Sequence, residues 1–246
     1  MASPSSTVLV TGARGFTGRW LGTHLSEAGY NVHGLIHRGP AGPQETVADL
    51  MDGAQLRAVL DTIRPDFMVH LAAITFVPHG NIAEIYQTNL VGTLNLLDAA
   101  LAVGLQPRKI LLASSANVYG NPPVEVIDET VCPAPVNHYA TSKLAMEHMA
   151  RTYCDRLPII ITRPFNYTGP GQAGHFLIPK IVNHYREHRT TIELGNLDVI
   201  RDFSDVRFVA SAYRRLLESE IQGETVNICS GQGVTLGEII EQMNRI

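Results

Sequence analysis

Residues 7–18 read TVLVTGARGFTG: a β-branched apolar run that ends at Gly12, with glycines again at 15 and 18. A helical pattern follows from Phe16 to Ala28 and is stopped by Gly29. A chain that passes from strand to helix through glycines at this spacing is committed to a β-α unit. Gly12 permits the tight turn, Gly15 lets backbone approach a pyrophosphate, and Gly18 allows close packing of helix on strand. The helix N-terminus then offers free N–H groups and a positive dipole end to phosphate. With a strand before and a helix after, the turn points to a dinucleotide site rather than to a ligand-free glycine turn. Gly12, Gly15, Phe16, Thr17 and Gly18 are the turn residues expected against the cofactor.

The same rhythm repeats downstream. Short apolar runs at 31–37, 66–73, 109–115 and 158–164 alternate with helical windows at 54–63, 83–103 and 139–154. Near-continuous apolar strands between helices imply a mainly parallel sheet covered on both faces. Right-handed crossovers make this an α/β fold with a doubly wound, Rossmann-type sheet. After residue 165 the rhythm weakens. A Gly- and Pro-containing loop leads to a predicted helix at 177–188, a short strand TIEL, a helix at 206–219, the run TVNICS and a helix from Leu236. The expected organisation is a disordered tail over 1–6, a dinucleotide-binding domain over 7–165, and a small substrate lobe over 166–246 that partly returns to the core. The chain stops at Ile246 inside a predicted helix, an odd end for a complete domain.

Composition excludes several function classes. A net charge of -4 argues against a nucleic-acid binder. No apolar run approaches the ~20 residues that span a bilayer, and the N-terminus lacks a basic segment followed by a long apolar one. Three well-separated cysteines without a C-x-x-C read as reduced thiols, so a cytoplasmic protein is expected. His184 and His188 stand four apart on a predicted helix, but with no third ligand in place they read as a solvated face, and no metal is expected.

The end of the second strand reads IHRG, with His37 and Arg38 and no carboxylate. NAD sites commonly place an acidic residue there, whereas a basic residue suits the 2′-phosphate, so NADP(H) is favoured over NAD(H). The strand KILLASS ends in Ser114 and Ser115 at the carboxyl edge of the sheet, where ligands of such folds bind. Further along, HYATSK places Tyr139 and Lys143 on one helical face. A nearby ammonium favours the phenolate, so Lys143 is expected to lower the Tyr139 pKa while also bonding the nicotinamide ribose. Ser115 would hold the substrate oxygen and Tyr139 transfer the proton.

Together, TGARGFTG, HLAA, SSANVYG, YATSK and RPFN resemble the extended short-chain dehydrogenase/reductases of the nucleotide-sugar-modifying kind. The resemblance runs from about Val8 to the end of the chain. It implies Ser115, Tyr139 and Lys143 as catalytic residues. It also implies Asp49 and Leu50 at the adenine, Leu71, Ala72 and Ala73 along the cofactor, and Asn89 ordering the site. Ser114, Pro164 and Phe165 would lie near the nicotinamide. Asn166 matches a residue at the sugar-nucleotide diphosphate, with Asn117 and Lys180 on the substrate side.

Later segments, RPFNYTGPGQ, GNLDVIRDFSDV and VNICSGQ, are similar to the GDP-4-keto-6-deoxy-D-mannose reductases. The related 4,6-dehydratases carry a glutamate just after the catalytic serine or threonine, where this chain has Ala116 and Asn117. Dehydration needs both a base and an acid, and an amide is neither. Reduction of a 4-keto sugar nucleotide to GDP-D-rhamnose is the expected activity. The rivals are a 4-epimerase with tightly held NAD and a non-catalytic dinucleotide sensor. Arg201 matches an arginine at the nucleotide diphosphate; an ion pair with Asp202 or Asp205 is the other reading. His138 replaces the usual proline before the tyrosine, Phe208 replaces an aspartate, and the family continues beyond this end. The family habit of pairing through a four-helix bundle implies a homodimer.

Overall fold

The structure, a computed structural model, describes residues 6–75 and 80–245. The expected tail over residues 1–5 lies outside the described residues. Ser6, assigned to that tail, is only 5% exposed, and its carbonyl accepts from the Asn31 N–H at 3.0 Å. The tail therefore does not reach Ser6, because pairing with the second strand already holds it.

The first half alternates as predicted, with one short strand, β3, that the sequence reading lacks: β1 (Thr7–Thr11), α1 (Phe16–Glu27), β2 (Asn31–Ile36), β3 (Glu45–Val47), α2 (Gly53–Ile63), β4 (Phe67–His70), α3 (Ile82–Tyr86) and α4 (Gly92–Ala102). Next come β5 (Lys109–Ala113), α5 (His138–Arg151), β6 (Ile159–Pro164), β7 (Asn166–Thr168), α6 (Leu177–Arg186), β8 (Ile200–Asp205), α7 (Val206–Glu218), β9 (Thr225–Ile228), β10 (Gly233–Thr235) and α8 (Leu236–Asn244). Seven strands form one parallel sheet in the order β3-β2-β1-β4-β5-β6-β9. Strand order reverses beside β1, so the carboxyl ends of β1 and β4, paired at Thr11 and His70, flank the crevice where such sheets bind ligands. Strands β4 and β6 are buried along their whole length, which is why they read as near-continuous apolar runs.

Both faces are covered. Leu21 and Leu25 of α1 and Val209, Tyr213 and Leu217 of α7 pack against Val8, Val10 and Ile160. On the other face, Leu56 and Leu60 of α2, Leu96 and Leu97 of α4 and Met146 of α5 pack against Leu9, Met68 and Ile161. The C-terminal residues are interleaved with this core: β9 joins the main sheet beside β6, while β7, β8 and β10 form a separate three-stranded sheet.

Three expectations change. TIEL is not a strand, because no neighbouring strand offers it a ladder; the strand in this region is β8, paired with β7 and β10. The long helical window over 83–103 is broken by a π-helical turn at Gln87–Val91. His184 and His188 do not share a helix, since α6 ends at Arg186 and His188 adopts φ 52°. Among the described residues no group of three or more His, Cys, Asp or Glu is placed to hold a metal ion. No described helix is long and apolar enough to cross a membrane.

Candidate active site

The glycine turn is built as tightly as its spacing demands. Gly12 has φ +67°, and a Cβ there would lie 2.9 Å from the Ala72 nitrogen. A Cβ on Gly18 would lie 2.3 Å from the Gly12 carbonyl oxygen, so only glycine brings α1 this close. No side chain caps α1, and its first turn carries no acidic residue. Its first N–H groups are therefore left for an anion.

A cleft of 580 Å³ opens along the carboxyl edge of the sheet. It brings together Gly12, Gly15, Phe16, Thr17 and Gly18 of the turn with Ser114, Ser115, Tyr139 and Lys143. Leu71, Ala73, Asn117, Pro164, Phe165, Asn166 and Arg201 also line it. A second cleft of 500 Å³ shares Gly12, Gly15, Leu71 and Ala73 with the first. It extends past Ala72 to His37, Arg38, Asp49 and Leu50. The two meet at these shared residues and make one trough that runs past the glycine turn. Lys180 lies outside both; its amine donates to the Glu193 carbonyl at 2.8 Å and ties α6 to the segment before β8.

The reactive groups are held from several elements. Asn137 caps α5 by accepting from the Ala140 N–H at 2.9 Å, so Tyr139 sits in the first helical turn. Ser115 starts the 3₁₀ turn Ala116–Tyr119, and its hydroxyl accepts from the Asn117 N–H at 3.2 Å. Asn89 lies in the π turn and is fully buried. Its amide nitrogen donates to the Ser142 hydroxyl at 3.0 Å and to the Ile74 carbonyl at 3.0 Å, and its oxygen accepts from the Ile74 N–H at 2.8 Å. Ser142 passes the connection on by donating to the Tyr139 carbonyl at 2.7 Å.

The electrostatics correct one expectation. Burial pushes the Tyr139 pKa up, and the Ser115 side chain opposes that shift only in part. Burial outweighs the lowering expected from Lys143, whose ammonium donates to the Ala113 carbonyl at 2.7 Å. Burial lowers the Lys143 pKa to about 8, with Glu147 opposing it.

Arg201 has neither of the ion pairs considered for it. Asp202 accepts from the N–H groups of Ser230, Gly231 and Gln232 at 3.1, 2.7 and 3.2 Å and from the Ser230 hydroxyl at 2.9 Å. Asp205 is bound by Arg207 at 2.7 Å. The Arg201 guanidinium donates to the Ile200 carbonyl at 2.8 Å and lines the cleft.

Several functional neighbours escaped sequence reasoning. Glu147 accepts from the Ser114 hydroxyl at 2.5 Å and takes a bidentate pair from Arg163 at 2.9 and 2.6 Å, all of it buried. Its only linear signal is its place one helical turn after Lys143. Tyr167 bonds Thr17 at 2.8 Å and stacks on Phe16, joining the glycine turn to β7. Arg14 grips Glu45 and the Pro40 carbonyl beside the end of β2.

The chain matches the family described as "NAD dependent epimerase/dehydratase family" over residues 8–229. The chain belongs to that family. It is an NAD(P)-dependent enzyme of the extended short-chain dehydrogenase/reductase type. Among its relatives, a GDP-6-deoxy-D-talose 4-dehydrogenase of Aggregatibacter actinomycetemcomitans is 39% identical, covering 97% of this chain and 79% of the relative. A GDP-6-deoxy-D-mannose reductase of Pseudomonas aeruginosa is 36% identical, covering 95% and 78%. The solved structure of RMD from Pseudomonas aeruginosa complexed with NADPH superposes with a TM-score of 0.84 at 35% identity, covering 96% and 82%. A crystal structure of a Burkholderia cenocepacia J2315 protein gives 0.92 at 48%, covering 99% and 82%.

Proposed function

We propose that this chain uses NADPH to reduce the C4 keto group of a 4-keto-6-deoxy hexose joined to GDP. GDP-D-rhamnose is the expected product. The observation that carries the reading is the single cleft holding Ser115, Tyr139, Lys143 and the glycine turn, with Ala116 and Asn117, and no carboxylate, after Ser115. The bound nicotinamide supplies the hydride. Ser115 holds the keto oxygen, and Tyr139 gives its proton to that oxygen as negative charge develops there. Lys143 stabilises the phenolate left behind. Arg38 favours the 2′-phosphate of NADPH, and Arg201 suits the diphosphate of the sugar nucleotide.

The talose-forming product is a second reading, supported by the identity to the Aggregatibacter enzyme named for GDP-6-deoxy-D-talose. Incubating the purified protein with NADPH and GDP-4-keto-6-deoxy-D-mannose tests both. Consumption of NADPH with a rhamnose product supports the first reading, and the C4 epimer supports the second. Protein purified with tightly held NAD and no NADPH consumption would replace both with a 4-epimerase. A cytoplasmic homodimer paired through α4 and α5 belongs to the same proposal, checked by sedimentation.

A further inference from the structure

His138 stands immediately before Tyr139, and the reaction above does not use it. Its Nδ1 lies 3.1 Å from the Tyr86 hydroxyl. The two rings meet edge to face, with centroids 5.9 Å apart and planes at 76°. Tyr86 is the last residue of α3, just before the π turn that carries Asn89. On the far side of Tyr139, Asn89 holds Ser142 at 3.0 Å, and Ser142 bonds the Tyr139 carbonyl. One turn of α5 is therefore pinned at both ends, at 138 and at 142, to the same segment, 86–89.

The position of this turn makes the outer tie consequential. Tyr139 is the second residue of α5. The first N–H groups of a helix have no partner within it; here the Asn137 cap takes the Ala140 N–H, and side-chain ties outside the helix add to that hold. Ile82 and Ile85 of α3 and Pro135, Val136, His138 and Thr141 line a groove of 480 Å³ between α3 and the start of α5. Across that gap the Tyr86–His138 pair is a direct polar tie. A misplaced catalytic group is costly: an error of about 1 Å can lower a rate about 100-fold.

We infer that His138, through Tyr86, is a positioning residue that fixes the first turn of α5 and hence the direction in which Tyr139 presents its proton. It acts through Tyr139 and touches neither cofactor nor substrate. A proline at this position would start the helix well but could not make the tie.

The test rests on the reductase reading for its kinetic arm and is independent of it in a second arm. His138→Ala and Tyr86→Phe should each lower kcat about tenfold while KM for NADPH stays within about twofold, because only proton delivery is disturbed. The primary isotope effect with deuterated NADPH should rise as chemistry slows. The double variant should be no worse than either single one, since one bond is lost in each case. His138→Asn, whose side-chain oxygen can accept from Tyr86, should recover most of the rate. Unchanged kcat in His138→Ala, additive losses, or no recovery with asparagine would overturn the inference.

The second arm needs no substrate. With tyrosine labelled at Cζ and the Tyr139 resonance assigned through Tyr139→Phe, His138→Ala should shift that resonance and His138→Asn should not. Superimposable spectra would also overturn the pair's role. If the wild-type protein reduces no 4-keto sugar nucleotide, the functional reading falls while this arm still decides the positioning. His138 is exposed and Tyr86 half-buried, so all variants should fold, with circular dichroism as the check.

Discussion

The Lys143 ammonium donates to the Ala113 carbonyl at 2.7 Å, at the end of β5. This bond fixes the cation at the end of β5 beside the cleft, one helical turn from Tyr139, where the reductase reading has it stabilise a phenolate. Burial brings its pKa down to about 8. In the reductase reading, kcat/KM should therefore fall above about pH 8 as the free enzyme loses this proton. Stability should run the other way. The unfolded lysine keeps its proton up to its ordinary value of 10.5, so between pH 8 and 10.5 the unfolded state binds more protons than the folded one. The stability contributed by this group then rises with pH across that window. Lys143→Met should lose most activity and flatten both dependences, checked by pH–rate profiles and urea unfolding.

Much of this site is legible in the sequence itself. The glycine spacing, the serines at the end of β5 and the i, i+4 pair at Tyr139 and Lys143 are local patterns, and each lies on the element its pattern implies. What stays hidden is tertiary. Asn89 is implied by the family resemblance, but the π turn that carries it departs from helical geometry and has no period of its own. The three-residue strands β7 and β10 are too short to show alternation, while TIEL has strand-forming residues but no partner strand. Glu147 and Arg163 stand on different elements, and only the fold makes them a pair. The Arg201 ambiguity comes from adjacent carboxylates; the loop Ser230–Gln232 resolves it, because its N–H groups take Asp202 away.

His70 is fully enclosed between two threonines, 2.7 Å from Thr11 and 2.9 Å from Thr93. Thr11 already accepts from the Leu71 and Ala72 N–H groups, and Thr93 donates to the Asn89 carbonyl. The proton order follows: Thr11 donates to Nδ1, and the Nε2–H donates to Thr93. The ring is neutral, its pKa lowered to about 3 by burial, with the charge of Lys143 adding to the shift. Between pH 6.5 and 3 the unfolded state binds a proton that the folded state refuses. Stability should fall as pH drops through that range, by up to about 1.4 kcal/mol per unit. In His70→Gln that acid slope should be smaller, measured by urea midpoints across the range.

Glu147 and Arg163 are 1% and 3% exposed at their side chains, so neither charge has water to fall back on. Burial alone disfavours the Arg163 charge, but its bonds to Glu147 and its contact with Tyr119 hold its pKa above the ordinary value. Glu147→Gln should cost about 3–5 kcal/mol by leaving the guanidinium unpaired. For a chain of this size that lowers Tm on the order of 10 °C. Removing both charges, in Glu147→Leu with Arg163→Met, should cost less than the single change. Thermal unfolding of the three proteins decides it; an additive double variant would mean that the pair is not coupled.

Arg201 lines the cleft with no carboxylate on it among the described residues. A guanidinium in that position is suited to a diphosphate, to which it can give two parallel hydrogen bonds. Bonds to charged groups are worth roughly 1.5–3 kcal/mol, so Arg201→Ala should raise KM for the sugar nucleotide about 10- to 100-fold. Arg201→Lys should recover only part of this, since it restores the charge but not the fork. NADPH affinity should stay within about twofold and stability within about 0.5 kcal/mol, because no structural ion pair is lost. Steady-state kinetics with the sugar nucleotide varied, set beside NADPH titration of the same protein, separates the two ligands. If NADPH binding weakens while KM for the sugar nucleotide holds, Arg201 belongs to the cofactor half of the trough.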